Sequence, residues 1–430
     1  MASVGGRTGW DGCEAASGDV GVIELALQVI QTTQSVQTGE RLAPGEVPPA
    51  EAPGLYVHVP FCFHKCHYCD FYSITRQTPE RMGRFVDLIL REAGQWAGSP
   101  ARVKPRTVFV GGGTPSLLPL EEMRRLIVGL RERFDFSDLE EWTVEVNPAT
   151  ASLEYCAMLR ELGVDRLSFG AQSFDLAELK ILERHHDPED VGRSVEIARG
   201  AGFSRVNVDL IYAIPGQSLE SWGRSLDAAM ALGTPHLSCY GLTYEANTPM
   251  TVRKRLGQFE AAEESLELEM LRYTRGRLMG AGYGAYEISN YARPGEECRH
   301  NLLYWDGGNY IGLGPSAASH VEGWRWKNRP HLGEWEQAIE GGGLPAAEVE
   351  RLSPERRRGE WMMLRLRLGE GVRFGDYRRR FGGDVRKEYS DAIARMSRVG
   401  LITVSDEGLR LSESGIAVAD GVAGEFLGGG

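Results

Sequence analysis

The stretch Leu55-Tyr-Val-His-Val-Pro-Phe-Cys-Phe-His-Lys-Cys-His-Tyr-Cys-Asp-Phe-Tyr-Ser73 sets three cysteines, Cys62, Cys66 and Cys69, at C-x₃-C-x₂-C spacing directly behind a short alternating apolar run. Three thiolates on one loop can hold three irons of a [4Fe-4S] cube, and no other cysteine lies near enough in sequence to be assigned as a fourth ligand. One iron is then left open. A zinc knuckle is the alternative, because C-x₂-C is also a common zinc half-site. It would need a second Cys/His pair, and the nearest candidates, His64 and His67, lie inside the same tight loop. A disulfide fits poorly, since three clustered cysteines cannot pair evenly and nothing in the chain suggests export.

This loop resembles the signature of the radical SAM superfamily, in which S-adenosyl-L-methionine chelates the open iron through its amino and carboxylate groups. Tyr56 before the first cysteine, Pro60-Phe61 next to it, and Asp70-Phe71-Tyr72-Ser73 after the third are similar to the HemN/HemW-like branch, and within it to the HemW family of heme chaperones.

At 430 residues, with 42% hydrophobic and 25% charged residues, the chain has globular composition and room for one large domain and one smaller one. The formal net charge of -12 argues against a dedicated nucleic-acid binder, whose affinity rests on Lys and Arg against phosphates. No apolar run reaches bilayer length, so no transmembrane segment is expected. Met1 to Gln37 carries one early Arg and a weak amphipathic patch from Val20 to Ile30 broken by Glu24, which makes neither a signal peptide nor an anchor. A reducing cytoplasmic setting is the expectation, and cysteines concentrated in one loop suit metal ligation there.

Residues 1–50, rich in Gly, Ser and Thr and ending in Ala43-Pro-Gly-Glu-Val-Pro-Pro-Ala50, read as a flexible extension and linker, with Cys13 a stray thiol. From Leu55 the pattern repeats strand, loop, helix. Strands are expected at Leu55–Val59, Thr107–Val110, Trp142–Val146, Arg166–Phe169, Val206–Ile211 and His236–Leu242, and helices at Pro79–Trp96, Glu121–Phe134, Leu153–Leu162 and Asp190–Gly200. Such alternation predicts an α/β barrel, open or closed. The resemblance implies the partial (β/α)₆ form, here over residues 51–285.

Reactive groups in such barrels gather where strands end. In Gly111-Gly-Gly-Thr-Pro-Ser116 the missing side chains let backbone approach a ligand, or simply make a tight turn. The resemblance implies that Gly112, Gly113 and Thr114 contact the methionyl part of S-adenosyl-L-methionine. Glu145, an acid in an apolar strand, could accept from a ribose hydroxyl or an ammonium, or face solvent at the strand end. Gln172, Arg184 and Asp209 follow at or beyond successive strand ends, and the resemblance implies that they bind the same cofactor. Arg184 is the natural fork for its carboxylate, while Asp209 could instead tie the barrel together. His185 and His186 read as a helix-end cap or surface pair. Tyr56 and Tyr68 flank the cysteines and contact the ligand or pack.

After a helix expected at Glu260–Gly280, the segment 286–345 reads as a connecting region. It holds His300-Asn301-x-x-Tyr304-Trp305, which resembles a HemW motif associated with heme. His300 beside large aromatics such as Tyr304 could ligate a heme iron and cover its face, with Cys298 as a second possible ligand; a hydrogen-bonded histidine in a packed aromatic loop is the alternative. Gly341-Gly-Gly-Leu-Pro345 reads as a linker. Residues 346–430 then give helices at Glu355–Leu366, Phe374–Phe381 and Val385–Val399 and a strand pair at Leu401–Val404 and Gly408–Leu411, a winged-helix-like domain.

The resemblance implies a protein that binds heme and delivers it to an acceptor protein, membrane-bound or cytosolic, with a reductant protein serving the cluster. The alternatives are an oxygen-independent coproporphyrinogen III oxidase and a HemN-like methyltransferase. Coproporphyrinogen oxidases of this superfamily carry another cysteine two positions after the third, where this chain has Phe71, and they use an N-terminal segment that residues 1–50 do not resemble.

Overall fold

The structure, a computed structural model, describes Gln37–Thr38 and residues 42–427. Most of the expected N-terminal extension, Cys13 included, lies outside the described residues. β1 (Gln37–Thr38) and β2 (Ala50–Val59) precede α1 (Pro79–Gln95). There follow β3 (Ala101–Gly112), α2 (Leu120–Arg133), β4 (Glu141–Val146), α3 (Leu153–Glu161), β5 (Arg166–Gln172), α4 (Leu176–Ile181), α5 (Pro188–Gly200), β6 (Arg205–Tyr212), α6 (Leu219–Ala231) and β7 (His236–Gly241). Strands β2 to β7 pair in parallel in chain order, which is the expected (β/α)₆ arrangement. Helices cover the sheet, so strand residues such as Leu55, Val57, Val108, Val110, Val144 and Val208 have no exposure at all. Thr78, Ser152, Asp175 and Ser218 each accept a first-turn backbone N–H and so start α1, α3, α4 and α6. Along α1, Phe85, Val86, Ile89 and Ala93 recur at helical spacing and form its buried face.

Next come α7 (Pro249–Arg255), α8 (Glu264–Gly280), β8 (Gly284–Ala285), β9 (Asn290–Ala292), α9 (Arg299–Trp305), β10 (Tyr310–Leu313), β11 (Ala318–Val321), β12 (Trp324–Asn328), α10 (Leu332–Glu340) and β13 (Ala346–Arg351). Here the structure corrects the sequence reading. The segment 286–345 is no connector: β10 lies parallel to β2, and β11, β12 and β13 continue the same sheet antiparallel, so that among the described residues it has 13 strands. Nor does Gly341-Gly-Gly-Leu-Pro345 separate domains, because β13 beyond it still pairs with β12. Leu42 and Val47, expected in a linker, are buried in the main core, and Ser99 Oγ donates to the Pro44 carbonyl at 2.9 Å.

The C-terminal part contains α11 (Pro354–Leu366), β14 (Val372–Arg373), α12 (Phe374–Phe381), α13 (Val385–Glu388), α14 (Ser390–Arg398), β15 (Ile402–Val404), β16 (Gly408–Leu411), α15 (Glu413–Ile416) and α16 (Ala419–Gly424). Helices around a small antiparallel sheet of order β14-β16-β15 match the expected winged-helix-like form. The single helix expected over Val385–Val399 is two. Tyr389 leaves helical geometry at φ -121°, ψ 24°, and its buried ring meets Tyr377 and Phe426.

Candidate functional site

The cysteine loop leaves β2 and is closed at its base by backbone. Cys62 N–H donates to the Ile74 carbonyl at 3.0 Å and Ile74 N–H to the Pro60 carbonyl at 2.7 Å. Its far side is pinned by His67 N–H to the Leu182 carbonyl at 3.4 Å and by Met250 N–H to the His67 carbonyl at 3.0 Å. Side chains reach the sulfurs: Thr114 Oγ1 lies 3.7 Å from Cys62 Sγ, and an Arg184 guanidinium nitrogen 3.7 Å from Cys66 Sγ. Burial pushes the Cys69 thiol up to about 12, helped by the neighbouring Cys66 and Cys62, and burial raises Cys62 as well. The bare Cys62 and Cys69 thiols therefore hold their protons, and metal binding displaces them.

Sulfurs bound to one zinc at about 2.3 Å would stand about 3.8 Å apart. Among the described residues the trio of His, Cys, Asp or Glu with ligand atoms all within 4.8 Å of one another is His64, Glu183 and His185, not the cysteines. The three cysteine sulfurs therefore do not all lie within 4.8 Å of one another. All six described cysteines are free.

Behind the loop is a cavity of about 500 Å³. Of the residues singled out from sequence, Cys62, Cys66, Cys69, Tyr68, Gly112, Gly113, Thr114, Glu145, Gln172, Arg184, Asp209, His300 and Tyr304 all line it. Tyr56 does not: its hydroxyl meets His58 Nδ1 at 3.0 Å, while His58 Nε2 donates to the Tyr72 carbonyl at 2.8 Å, so Tyr56 braces the backbone after the cysteines.

The glycines are needed first by their neighbours. A Cβ on Gly111 would stand 2.9 Å from the Glu145 carboxyl, and one on Gly112 2.5 Å from the His58 ring, with φ already +103°. The N–H groups of Gly112, Gly113 and Thr114 are given to Glu145 Oε2, the Val59 carbonyl and the Phe61 carbonyl. Gly170 has a similar role, since a Cβ there would meet the Gln172 amide at 2.7 Å. Gln172 itself has φ +66°, a left-handed conformation that costs a non-glycine residue energy and is held by its surroundings.

Two acids line this space. Glu145 is pushed up to about 8, by burial first and then by the charge of Asp209. Burial also raises Asp209, against donors on Ser238, Asn207 and Ser168; Asn207 Nδ2 sits 2.8 Å and Ser168 Oγ 3.1 Å from its oxygens. Arg184 donates to the Gly170 carbonyl at 2.6 Å, yet its buried Nε has no protein partner. An arginine nitrogen left over in a cavity that two buried acids also line suits a ligand carrying both a carboxylate and positive charge.

His300 is 1% exposed, its Nδ1 is 2.9 Å from Thr107 Oγ1 and its Nε2 2.8 Å from the Tyr304 hydroxyl, so both ring nitrogens are hydrogen-bonded in this structure. Burial drops it to about 4. The hydrogen-bonded alternative describes it, though in a helix, α9, and not a loop. Cys298 is likewise buried, its thiol 3.4 Å from Glu141 Oε1. His186 is buried at 4% exposure, which removes the surface-pair reading for it, while His185 is exposed.

The sequence reading missed a polar belt formed by Arg166, Ser168, Asn207, Ser238 and Tyr240, all lining the cavity. The signal was there as a period of two: Arg166, Ser168, Gly170 and Gln172 on β5, Asn207 and Asp209 on β6, Ser238 and Tyr240 on β7 all point to one side.

A profile of the radical SAM superfamily matches residues 56–229, and one of the HemN C-terminal domain matches residues 352–418. The heme chaperone HemW of Mycobacterium tuberculosis is 35% identical over 398 residues, 90% of this chain and 99% of the relative. That of Lactococcus lactis is 33% identical over 378 residues, covering 86% and 96%, and that of Escherichia coli 37% over 267 residues, covering 62% and 70%. In fold, coproporphyrinogen III oxidase (HemN) from Escherichia coli, a radical SAM enzyme, is similar with a TM-score of 0.77 at 23% identity, over 93% of this chain and 98% of that one. With this cysteine loop, this barrel and these relatives, the chain belongs to the HemW family of the radical SAM superfamily.

Proposed function

We propose that the chain is a heme chaperone, binding heme and passing it to an acceptor protein, and that it carries a [4Fe-4S] cluster with S-adenosyl-L-methionine. The observation that carries this reading is identity over nearly the whole length of relatives named heme chaperones. Cys62, Cys66 and Cys69 would hold the cluster. Arg184, with its unpartnered Nε, would take the carboxylate of S-adenosyl-L-methionine, and Glu145 and Asp209 would offset its ammonium and sulfonium charges. Gly112, Gly113 and Thr114 would contribute carbonyl oxygens, since their N–H groups are spent. Gln172 would reach the ligand from its strained strand end, and Tyr68 would close one side. Bound together, cluster and S-adenosyl-L-methionine supply one-electron chemistry able to cleave a sulfonium. Phe71 lines the cavity where the superfamily's coproporphyrinogen oxidases have a further cysteine, which weighs against porphyrinogen oxidation. No helix among the described residues is long and apolar enough to cross a membrane; a cytoplasmic location, a reductant protein and an acceptor protein, membrane-bound or not, complete the proposal.

Anaerobic reconstitution followed by heme titration and assays for 5′-deoxyadenosine and coproporphyrinogen turnover tests it. The expected result is iron and sulfide at about four each per chain, a saturable heme Soret band and no porphyrinogen product. Absence of heme binding, or conversion of coproporphyrinogen, overturns the chaperone reading, and one zinc without iron overturns the cluster.

A further inference from the structure

If the chain carries heme, a reading on which the following rests, the iron needs a protein ligand, and the structure narrows the choice among its nine histidines. His58, His236, His300 and His320 have both ring nitrogens in hydrogen bonds, and His186 is buried. His67 accepts from Arg253 on Nδ1 at 3.0 Å and faces Glu183 on its other side. That leaves His64, His185 and His331, and the first two lie together. Their rings meet edge-on at 4.6 Å between centroids, and Glu183 Oε2 is 3.4 Å from His64 Nε2. Each of the three offers one ligand atom within 4.8 Å of the others.

Position adds a second line of argument. His64, Glu183 and His185 line the cavity and are at the same time open to solvent, so they form its rim. Phe63, another lining residue, is 80% exposed, which is unusual for so large an apolar ring in a loop otherwise packed down. The cavity, at about 500 Å³, is the size that takes one drug-sized ligand, about 300–1,000 Å³. A cluster with S-adenosyl-L-methionine would fill a space of that size, which directs a porphyrin to its rim. Glu183 holds φ +57°, a left-handed conformation, and its carboxylate faces His64 Nε2 at 3.4 Å, with a His185 ring nitrogen within 4.8 Å. A carboxylate on one imidazole nitrogen fixes the ring and makes the other nitrogen a better metal ligand.

We infer that heme docks on this rim, its iron taking an imidazole nitrogen from the His64–His185 pair, with Glu183 positioning the pair and Phe63 against the porphyrin face. Heme held there is exposed on one side and open to an acceptor protein, as a carrier requires.

The test is a heme titration of the anaerobically reconstituted full chain, followed by Soret absorbance and by resonance Raman or EPR for the axial ligand. The H64A/H185A double variant should keep its iron–sulfur content, lose the histidine-ligated spectrum and bind heme at least about 10-fold more weakly. E183Q should shift the iron–histidine signature while retaining binding. H300A and H331A should match wild type. An unchanged spectrum and affinity in H64A/H185A overturns the inference but leaves the chaperone reading intact, whereas a wild-type chain that takes no heme defeats that reading itself. A double variant that loses only a bound zinc ion also overturns it, since the rim is then a site for a free cation.

Discussion

Glu145 is a carboxyl that folding makes harder to ionise, and two measurable consequences follow from the sign of that effect. Raised from 4.5 to about 8, it binds its proton more tightly in the folded chain than in the unfolded one. Stability from this group is complete below pH 4.5 and is lost as pH climbs towards 8, by up to a few kcal/mol. Urea denaturation of the iron-free E145Q chain should therefore show a flatter decline between pH 5 and pH 8 than wild type, and equal slopes would sink the assignment. A cationic ligand beside the carboxyl reverses the bias, so S-adenosyl-L-methionine binding at pH 7 should release protons from wild type and not from E145Q, read by calorimetry in buffers of different ionisation enthalpy. His300 makes the opposite kind of prediction. H300A strands the Thr107 and Tyr304 hydroxyls and opens a void, which should cost roughly 2–4 kcal/mol while leaving iron loading unchanged. At this scale the sequence was most readable where chemistry and spacing coincide, as in the cysteines. It was least readable for Ser168, Asn207 and Ser238, because a polar residue on a short strand reads as a break in an apolar run until the strand's facing direction is known.

All six barrel strands and four of the barrel helices were legible because each carries its own period, but β2 starts at Ala50 and β3 at Ala101, ahead of the expected Leu55 and Thr107, and α4 and α6 were not expected. The strands of residues 310–351 were not legible. β10 and β11 are four residues each, too short to display an alternation, and their identity as strands comes from β2 alongside them. The close packing of this addition depends on glycine: a Cβ on Gly312 would stand 2.2 Å from the Ala318 carbonyl oxygen, a backbone atom that cannot swing away. Gly312→Ala should accordingly push β11 off β10 and lower stability by roughly 2 kcal/mol or more, visible as faster amide exchange in β10 to β12 ahead of β4 to β7. Uniform exchange across the sheet would mean that the β10 edge yields without cost. The break at Tyr389 has a similar origin, since local sequence favours one helix and only burial of the ring against Tyr377 and Phe426 bends it.

α9 joins the two halves of the molecule, and its two faces divide the work. His300 and Tyr304, one turn apart, look into the cavity. Leu302 and Trp305 look the other way, into a separate apolar cluster with Met363, Leu364, Leu368 and Ala423 of the C-terminal domain. Beyond its end, Arg365 pairs with Asp306, and Arg380 donates to the Asp306 and Gly307 carbonyls at 3.2 and 2.6 Å. On the sheet side Arg325 of β12 is 4% exposed and pairs with Glu360 of α11. The His300-Asn301-x-x-Tyr304-Trp305 motif is thus a joint: its aromatics are conspicuous in sequence because each packs into a different core, which no local pattern could distinguish from a ligand site. A joint of this kind predicts cooperative unfolding, with the two domains melting in one transition. Leu364, 6% exposed in the shared cluster, is the place to cut it. L364D puts a carboxylate into that apolar contact at a cost of roughly 3 kcal/mol, and near-UV dichroism and calorimetry should then resolve two transitions, the lower one belonging to residues 352–427. Because α9 also floors the cavity, S-adenosyl-L-methionine affinity should fall in L364D although no atom of Leu364 faces the cavity. A single, merely lowered transition with unchanged affinity would show that the domains are coupled through the Arg325–Glu360 contact and not through α9.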